Sequence, residues 1–376
     1  MRPKIVIIGG GIGGLTAAIA LVRKGLAAEV YEQAPELNEV GAGVGLWANA
    51  LRALEPIGLA GEVGQLAERV DRQGIKRPDG TWLMCYPREV LEQRWGVVGF
   101  TAVHRAELQR LLASQLDPAT IHLGTRCSGF RDTPDAVHVR FDGGPDVTAA
   151  VLIGADGVHS VLRAKLLGPA PLRYRGYTGV RALTPAGSVP LPSDGIETWG
   201  RGARFGFAPA TGDRIIWYAT WNTPAGSEHD RGMRARLRKL FGAWHDPIPA
   251  VIEVTAEEAI VRNDIYDRWP ARTWTRGRVA LIGDAIHPMT PDLAQGACQA
   301  IVDAATIADC LAEAGDPRAA LREYQRRRWR NAARTTLLAR GSGRLGHGMG
   351  ASPALRAMPC SGRCRCLSSY VSSTSS

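Results

Sequence analysis

The chain is short of lysine, short of paired cysteines and without a long apolar run free of glycine, and each shortage removes a class of protein. Lysine occurs only at positions 4, 24, 76, 165 and 239. The basic residues are therefore almost all arginine, a bias that base composition alone produces and that marks no site. The formal net charge of +10 comes from one end, because residues from Arg318 onward hold twelve arginines against Glu323 alone, leaving 34 basic and 35 acidic groups in residues 1–317. A general polyanion binder is excluded: no nucleic-acid partner is expected, and the Arg run reads as a solvated helix face. Seven cysteines, an odd number at irregular spacings, argue against a disulfide framework and for a reducing, cytoplasmic setting. Cys360, Cys364 and Cys366 have no histidine beside them, and no metal site is expected. The longest uncharged stretch, Ile5 to Val22, is interrupted by Gly9, Gly10, Gly11, Gly13 and Gly14. Glycines weaken a lipid-facing helix and suit a strand-to-helix turn, so no integral membrane segment is expected.

What is present is ordinary for a chain with a real core: 45% hydrophobic and 22% charged residues over 376 positions, enough for one large or two ordinary domains. Lys4–Ile8 reads as a buried strand, Gly13–Gly25 as a helix and Glu29–Glu32 as a second strand, a βαβ opening. A Gly-rich loop, Gly41–Gly45, precedes a helix near Ala48–Ile57, and a further helix, His104–Leu116, carries Leu108, Leu111, Leu112 and Leu116 on one face. Val147–Ile153 reads as one apolar strand ending at Gly154-Ala155-Asp156-Gly157. From about residue 171 aromatic, apolar and Arg residues alternate between Pro and Gly turns, as in an antiparallel sheet. A basic helix around Arg231–Trp244 and a strand at Glu257–Ile265 follow. Arg278–Ile282 then returns to the first sheet, and helices near Gly296–Ala314 and Pro317–Arg340 come last. From Gly341 the pattern reads as fraying.

Gly9-x-Gly11-x-x-Gly14 joins the first strand to its helix, with Gly13 inside the turn. Such glycines let a pyrophosphate approach a helix N-terminus, where unpaired N–H groups and the dipole favour anions. Glu32 lies 18 residues past Gly14 at the end of the second strand, where a carboxylate accepts both hydroxyls of an adenosine ribose and would repel a 2′-phosphate. This points to FAD or NAD. Gly283-Asp284 ends a later strand and opens Ala285-Ile286-His287-Pro288-Met289-Thr290-Pro291, with Gln295-Gly296 before a helix, so that a carboxylate can meet a polyol. NAD has no ribityl chain; FAD does.

These three segments in order, the Gly9–Gly14 turn with Glu32, Asp156-Gly157-Val158-His159-Ser160-Val161-Leu162-Arg163, and Gly283–Pro291, resemble the FAD-dependent aromatic hydroxylases of the p-hydroxybenzoate hydroxylase type. The resemblance covers roughly residues 3–340. It implies an α/β fold: a discontinuous Rossmann-like FAD-binding domain (1–72, 99–170 and 275–345), an inserted antiparallel-sheet substrate domain (73–98 and 171–274), C-terminal helices and an irregular tail (346–376). It also implies that Asp284 binds the ribityl hydroxyls, that Gly296 and Ala297 offer backbone N–H groups to the flavin N1/O2 edge, and that Pro291 lines the ring. Arg105 resembles the family's FAD-contacting arginine, the alternative being a surface arginine at a helix start. Cys127 falls where a strand residue meets adenine through its backbone. Asp156 and Arg163 are shared between holding the fold and passing the nicotinamide cofactor. Two departures are visible, Ala294 in place of a glycine before Gln295-Gly296 and Val302 in place of an acid before Asp303.

By the same resemblance the chemistry is monooxygenation with NADH or NADPH as co-substrate, O₂ adding at the flavin C4a to give a hydroperoxide that attacks a small aromatic substrate. Arg204 is the candidate anion or phenolate anchor, its alternative being an exposed sheet arginine. Tyr218 is the candidate hydrogen-bond partner, its alternative being packing. His287 reads as a brace for its loop. A flavin-dependent epoxidase of a terpenoid or quinone-like alkene and a non-catalytic FAD-binding protein are the competing readings, and the chain is expected to be a monomer or homodimer.

Overall fold

The computed structural model describes residues 4–37, 43–95, 100–227 and 232–348. The glycine-bounded apolar runs assemble into one six-stranded sheet, in the order Thr275–Arg276, Val279–Leu281, Val151–Gly154, Ile5–Ile8, Ala28–Tyr31, Ile121–His122. It is parallel except for its antiparallel edge strand. Ile5 to Ile8 and Val151 to Gly154 are buried throughout, as strands covered on both faces must be. Helix Ile12–Arg23 packs against helix Gly296–Glu313. The close approach is made by small residues: a Cβ on Gly13 would stand 3.1 Å from that of Ala300.

The second sheet has seven strands, in the order Val261–Asp267, Arg173–Pro185, Arg214–Asn222, Ala203–Ala210, Gly195–Gly200, Arg72–Lys76, Trp82–Pro87. All neighbours are antiparallel except Gly195–Gly200 with Arg72–Lys76. The period-2 alternation sorts its side chains. Val180, Phe205, Phe207, Trp217, Ala219 and Trp221 form a core with Leu237 and Phe241 of helix Met233–Phe241 and with Val251 and Ile252 of helix Ile248–Val254. The intervening residues, Tyr177, Arg181, Arg204, Gly206, Tyr218 and Thr220, share the opposite face by register.

Four local expectations change. The segment read as a Gly-rich loop is, from Gly43 to Trp47, a strand paired with Phe100–His104; positions 41 and 42 lie outside the described residues. Gly43 and Gly45 are required there, because a Cβ would overlap Ile216 at the first and come within 2.7 Å of the Phe100 ring at the second. The run Val147–Ile153 splits, Val147–Ala149 pairing in a small three-stranded sheet and Val151–Gly154 in the main one. The strand read at Glu257–Ile265 begins only at Val261, a single helical turn occupying Glu257–Ala259. The last helix does not fray at Gly341 but runs from Pro317 to Gly348, so positions 346–348 of the expected irregular tail are helical. The rest of that tail, with Cys360, Cys364 and Cys366, lies outside the described residues. Among the described residues no helix is long and apolar enough to cross a membrane.

Candidate active site

A cavity of about 450 Å³ runs along the carboxyl ends of the parallel strands, where ligands bind in open α/β sheets. At one end lies the glycine turn. Gly9 has φ +112° and sits so close to Ala155 that a Cβ would overlap the Ala155 carbonyl, while a Cβ on Gly14 would overlap the Gly9 carbonyl. Gly9, Gly11 and Gly13 line the cavity; Gly14 lies beneath it and sets the approach of helix to strand. Helix Ile12–Arg23 has no side-chain cap, which leaves its N-terminal N–H groups for an anion. Glu32 follows the second strand directly and also lines the cavity. Its Oε2 accepts from the Gly10 N–H at 2.7 Å and its Oε1 from the Ala34 N–H at 2.8 Å, bonds that fix the carboxylate and leave further lone pairs facing inward.

At the other end is Asp284, in the turn that closes strand Val279–Leu281. Its carboxyl is surrounded by protein yet opens on the cavity, and it has no hydrogen-bond partner among the described residues. Burial raises its pKa, and the charges of His287 and of Arg105, which also lines the cavity, work the other way. Burial likewise lowers the pKa of Arg105, against the pull of Asp284. Gly296 and Ala297 begin an uncapped helix beside it, a Cβ on Gly296 falling 3.9 Å from Asp284 Oδ1. A glycine turn and a carboxylate fixed by backbone N–H groups at one end, and at the other an acid open to the cavity without a hydrogen-bond partner among the described residues, beside a helix N-terminus, suit an adenine dinucleotide that ends in a polyol and an electron-rich ring. FAD answers that description.

Around Asp284 the turn is braced from behind. His287 Nε2 shares Asp303 with Arg328, whose Nε donates at 2.8 Å, and Asp303 Oδ2 accepts the Gly283 N–H at 3.0 Å. Burial would raise the Asp303 pKa, but His287 and Arg328 hold it below the usual value. The following loop is stapled as well. Trp47 Nε1 donates to the Leu293 carbonyl at 2.9 Å, Asn49 to Gln295 Oε1 at 3.1 Å, and the Cys298 thiol to the Ala294 carbonyl at 3.4 Å. Ala294, the departure from glycine, sits at φ +49°, a conformation that costs a non-glycine residue about 1 kcal/mol.

Cys127 and Asp156 line the cavity too. Burial raises the pKa of both, that of Cys127 to about 11, so the thiol is protonated. Ser160 donates to Asp156 at 2.6 Å, and the Leu162 N–H at 3.2 Å. Pro291 is not in the wall of this cavity; it opens the turn Pro291–Leu293 beside it. Gln33, Thr125 and Arg126 are in the wall and were not among the sequence candidates, although Gln33 adjoins Glu32 and Arg126 adjoins Cys127; His159, also in the wall, belongs to the Asp156–Arg163 motif.

The second-sheet candidates stand apart from that cavity. Arg204 is 2% exposed, which rules out the exposed-arginine alternative. It is ion-paired with both Glu197 and Asp292 and lies over the Trp199 ring at 4.9 Å. Burial would lower its pKa, but the two carboxylates raise it. Tyr177 donates to the other Asp292 oxygen at 2.6 Å. Tyr218 lies across Gly206, where a Cβ would overlap its ring. It keeps 39% of its surface accessible, yet burial and then Glu197 raise its pKa well above 10; both facts follow if the ring faces a cleft inside the molecule. Glu197, Asp292 and Tyr177 were not among the sequence candidates, since their partners come from other strands and loops.

A family model described as FAD binding domain matches residues 2–339. The chain belongs to the FAD-dependent aromatic hydroxylases. It is 39% identical over 321 residues to an aurachin C monooxygenase/isomerase of Stigmatella aurantiaca, covering 85% of this chain and 84% of that one. It is 34% identical over 355 residues to an FAD-dependent urate hydroxylase of Klebsiella pneumoniae, covering 92% and 91%. Among solved structures, Klebsiella pneumoniae HpxO complexed with FAD and uric acid superposes with a TM-score of 0.87 at 31% identity, over 94% of this chain and 90% of that one. This hydroxylase is thus an FAD-binding monooxygenase of small aromatic compounds, and the reading as a non-catalytic flavin holder is set aside.

Proposed function

We propose that the enzyme hydroxylates a small aromatic ring bearing its own O–H or N–H group, with NADH or NADPH as reductant. One oxygen atom of O₂ is added to a ring carbon as hydroxyl, the proton released coming from that carbon or, where it bears none, from a ring O–H or N–H; the other oxygen leaves as water, two electrons coming from the nicotinamide. Bound FAD supplies the redox and oxygen-activating chemistry. Gly9, Gly11, Gly13 and Gly14 would seat its pyrophosphate and Glu32 its adenosine ribose. Cys127 would meet the adenine by its backbone, Asp284 and Arg105 would hold the ribityl end, and Gly296, Ala297 and Pro291 would frame the ring. Asp156, with Arg163, is the candidate contact for the nicotinamide cofactor. The sheet of residues 73–98 and 171–274 would be the substrate domain.

One observation carries the choice of substrate. Arg204 already faces two carboxylates, so this part of the sheet holds an excess of acceptors rather than a free cation. An aromatic carboxylate anchored on Arg204 would meet Glu197 and Asp292 as well, whereas a phenol, lactam or ring N–H finds acceptors. Tyr218 would touch the substrate, and Arg204 would position Asp292 and Glu197. The urate hydroxylases act on a ring of this kind by name, which supports the reading. The test is NAD(P)H oxidation with product mass for urate, 2-hydroxypyridine and 2-aminophenol, none of which carries a carboxylate, against analogues in which the ring O–H or N–H is methylated. A gain of one oxygen with the donor-bearing set alone is expected. Equal turnover of the methylated set, or of apolar alkenes, overturns the reading.

A further inference from the structure

The last turn of the C-terminal helix, read in the sequence as the start of an irregular tail, packs on the face of the second sheet that carries Arg204 and Tyr218. Two glycines permit it. A Cβ on Gly343 would stand 2.6 Å from Asp292 Oδ2, and one on Gly346 would stand 3.1 Å from Arg204 Cδ and 3.2 Å from its Nη1. Directly after Gly346, His347 is buried, 8% exposed. Its ring stacks on Tyr177 with centroids 4.0 Å apart and planes 25° from parallel, its Nε2 lies 3.2 Å from Thr220 Oγ1, and its carbonyl accepts from Asn222 at 3.2 Å. The helix is moored one turn earlier, where Arg340 Nε donates at 2.8 Å to Asp267, a fully buried acid of the sheet's edge strand that Arg175 also approaches.

We propose that this turn is a wall of the substrate side of the active site and that His347 is a positioning residue. By clamping the Tyr177 ring it holds the phenol on Asp292, and Asp292 in turn fixes Arg204. The charged and titratable groups facing His347 are Arg204 from strand Ala203–Ala210, Asp292 from the loop beside the flavin site, and Tyr177 from strand Arg173–Pro185. Burial and Arg204 together keep the imidazole neutral, which suits a ring that stacks rather than donates charge. The arrangement rests on the reading of this face as the substrate side, and it adds that helix residues beyond the family-matched span help to shape it.

The test uses FAD-loaded His347→Ala, His347→Gln and Gly346→Ala. Alanine at 346 favours the helix and acts only by crowding Arg204. Binding of urate and of 2-hydroxypyridine is followed without turnover by the change in oxidised flavin absorbance, and access to Tyr177 by nitration with tetranitromethane and mass spectrometry. Tyr177 is 3% exposed in the intact protein. The expected result is a tenfold or greater rise in Tyr177 nitration in His347→Ala, partial protection in His347→Gln, and probe binding weakened about tenfold in His347→Ala and Gly346→Ala, with FAD content unchanged. Tyr177 still protected in His347→Ala, or probe affinity within twofold of wild type in both variants, overturns the proposal. If neither probe perturbs the wild-type flavin while Tyr177 becomes reactive, the clamp stands and the substrate reading of the face falls.

Discussion

Acid should loosen this enzyme through one imidazole. His347 lies under the last helical turn, and burial, with the charge of Arg204 added, pushes its pKa from 6.5 down to about 4, Asp292 opposing. In the unfolded chain the ring recovers its ordinary value. Between pH 6.5 and 4 the unfolded state therefore binds more protons than the folded one, so stability falls as pH falls through that window and is unaffected above it. At about 1.4 kcal/mol per pKa unit the full effect is about 3 kcal/mol, of which about 2 kcal/mol is reached by pH 5 and almost none at pH 7. His347→Gln has nothing to titrate there. Unfolding of FAD-loaded wild type and His347→Gln is measured at pH 7 and pH 5, and the two losses are subtracted, which cancels every other titrating group. Wild type should lose about 2 kcal/mol more than the variant. Losses equal to within about 0.5 kcal/mol would show that the imidazole is neither buried nor held neutral, and the reasoning would fail.

Gly14→Ala drives a methyl into the Gly9 carbonyl. It should cost at least about 2 kcal/mol of stability and release FAD, checked by melting temperature and flavin content. Gly206→Ala displaces the Tyr218 ring at little cost to the fold. Turnover with the best aromatic substrate should fall tenfold or more, while FAD stays bound. Arg328→Met removes one partner of the buried Asp303 and leaves that acid with His287. Stability should drop by about 3 kcal/mol or more, and a thermal shift below about 1 °C would count against the brace.

How much of this was legible depended on whether a feature is local in the chain. The Gly9–Gly14 turn, Glu32 and Asp284 each sit where a short apolar strand ends, so a few consecutive residues announce both the backbone path and the chemistry. Arg204 and Tyr218 could be picked out as candidates in the second sheet, but not given partners. Glu197, Asp292 and Tyr177 reach Arg204 from two other strands and a loop, and no spacing rule connects positions so far apart. Glycine misled twice. In Gly43–Trp47 and Gly341–Gly348 it was read as a loop or a frayed end, whereas Gly43, Gly45, Gly343 and Gly346 stand there because Ile216, Phe100, Asp292 and Arg204 come too close for a side chain. An absent Cβ signals flexibility only when nothing presses against the backbone. The split of Val147–Ile153 was hidden for another reason: two strands of different sheets lie end to end with one residue between them.

The account stands on FAD lying between the first glycines and the carboxylate of Asp284, and flavin affinity of the Asp284→Ala protein tests this most directly. Hydrogen bonds from polyol hydroxyls to an ionised acid contribute about 1.5–3 kcal/mol. Purified wild type should carry one FAD per chain, and apoprotein of the variant should bind FAD about 10- to 100-fold more weakly at an unchanged fold. A colourless wild type that takes up no FAD, or a variant that binds it as tightly, would contradict the account.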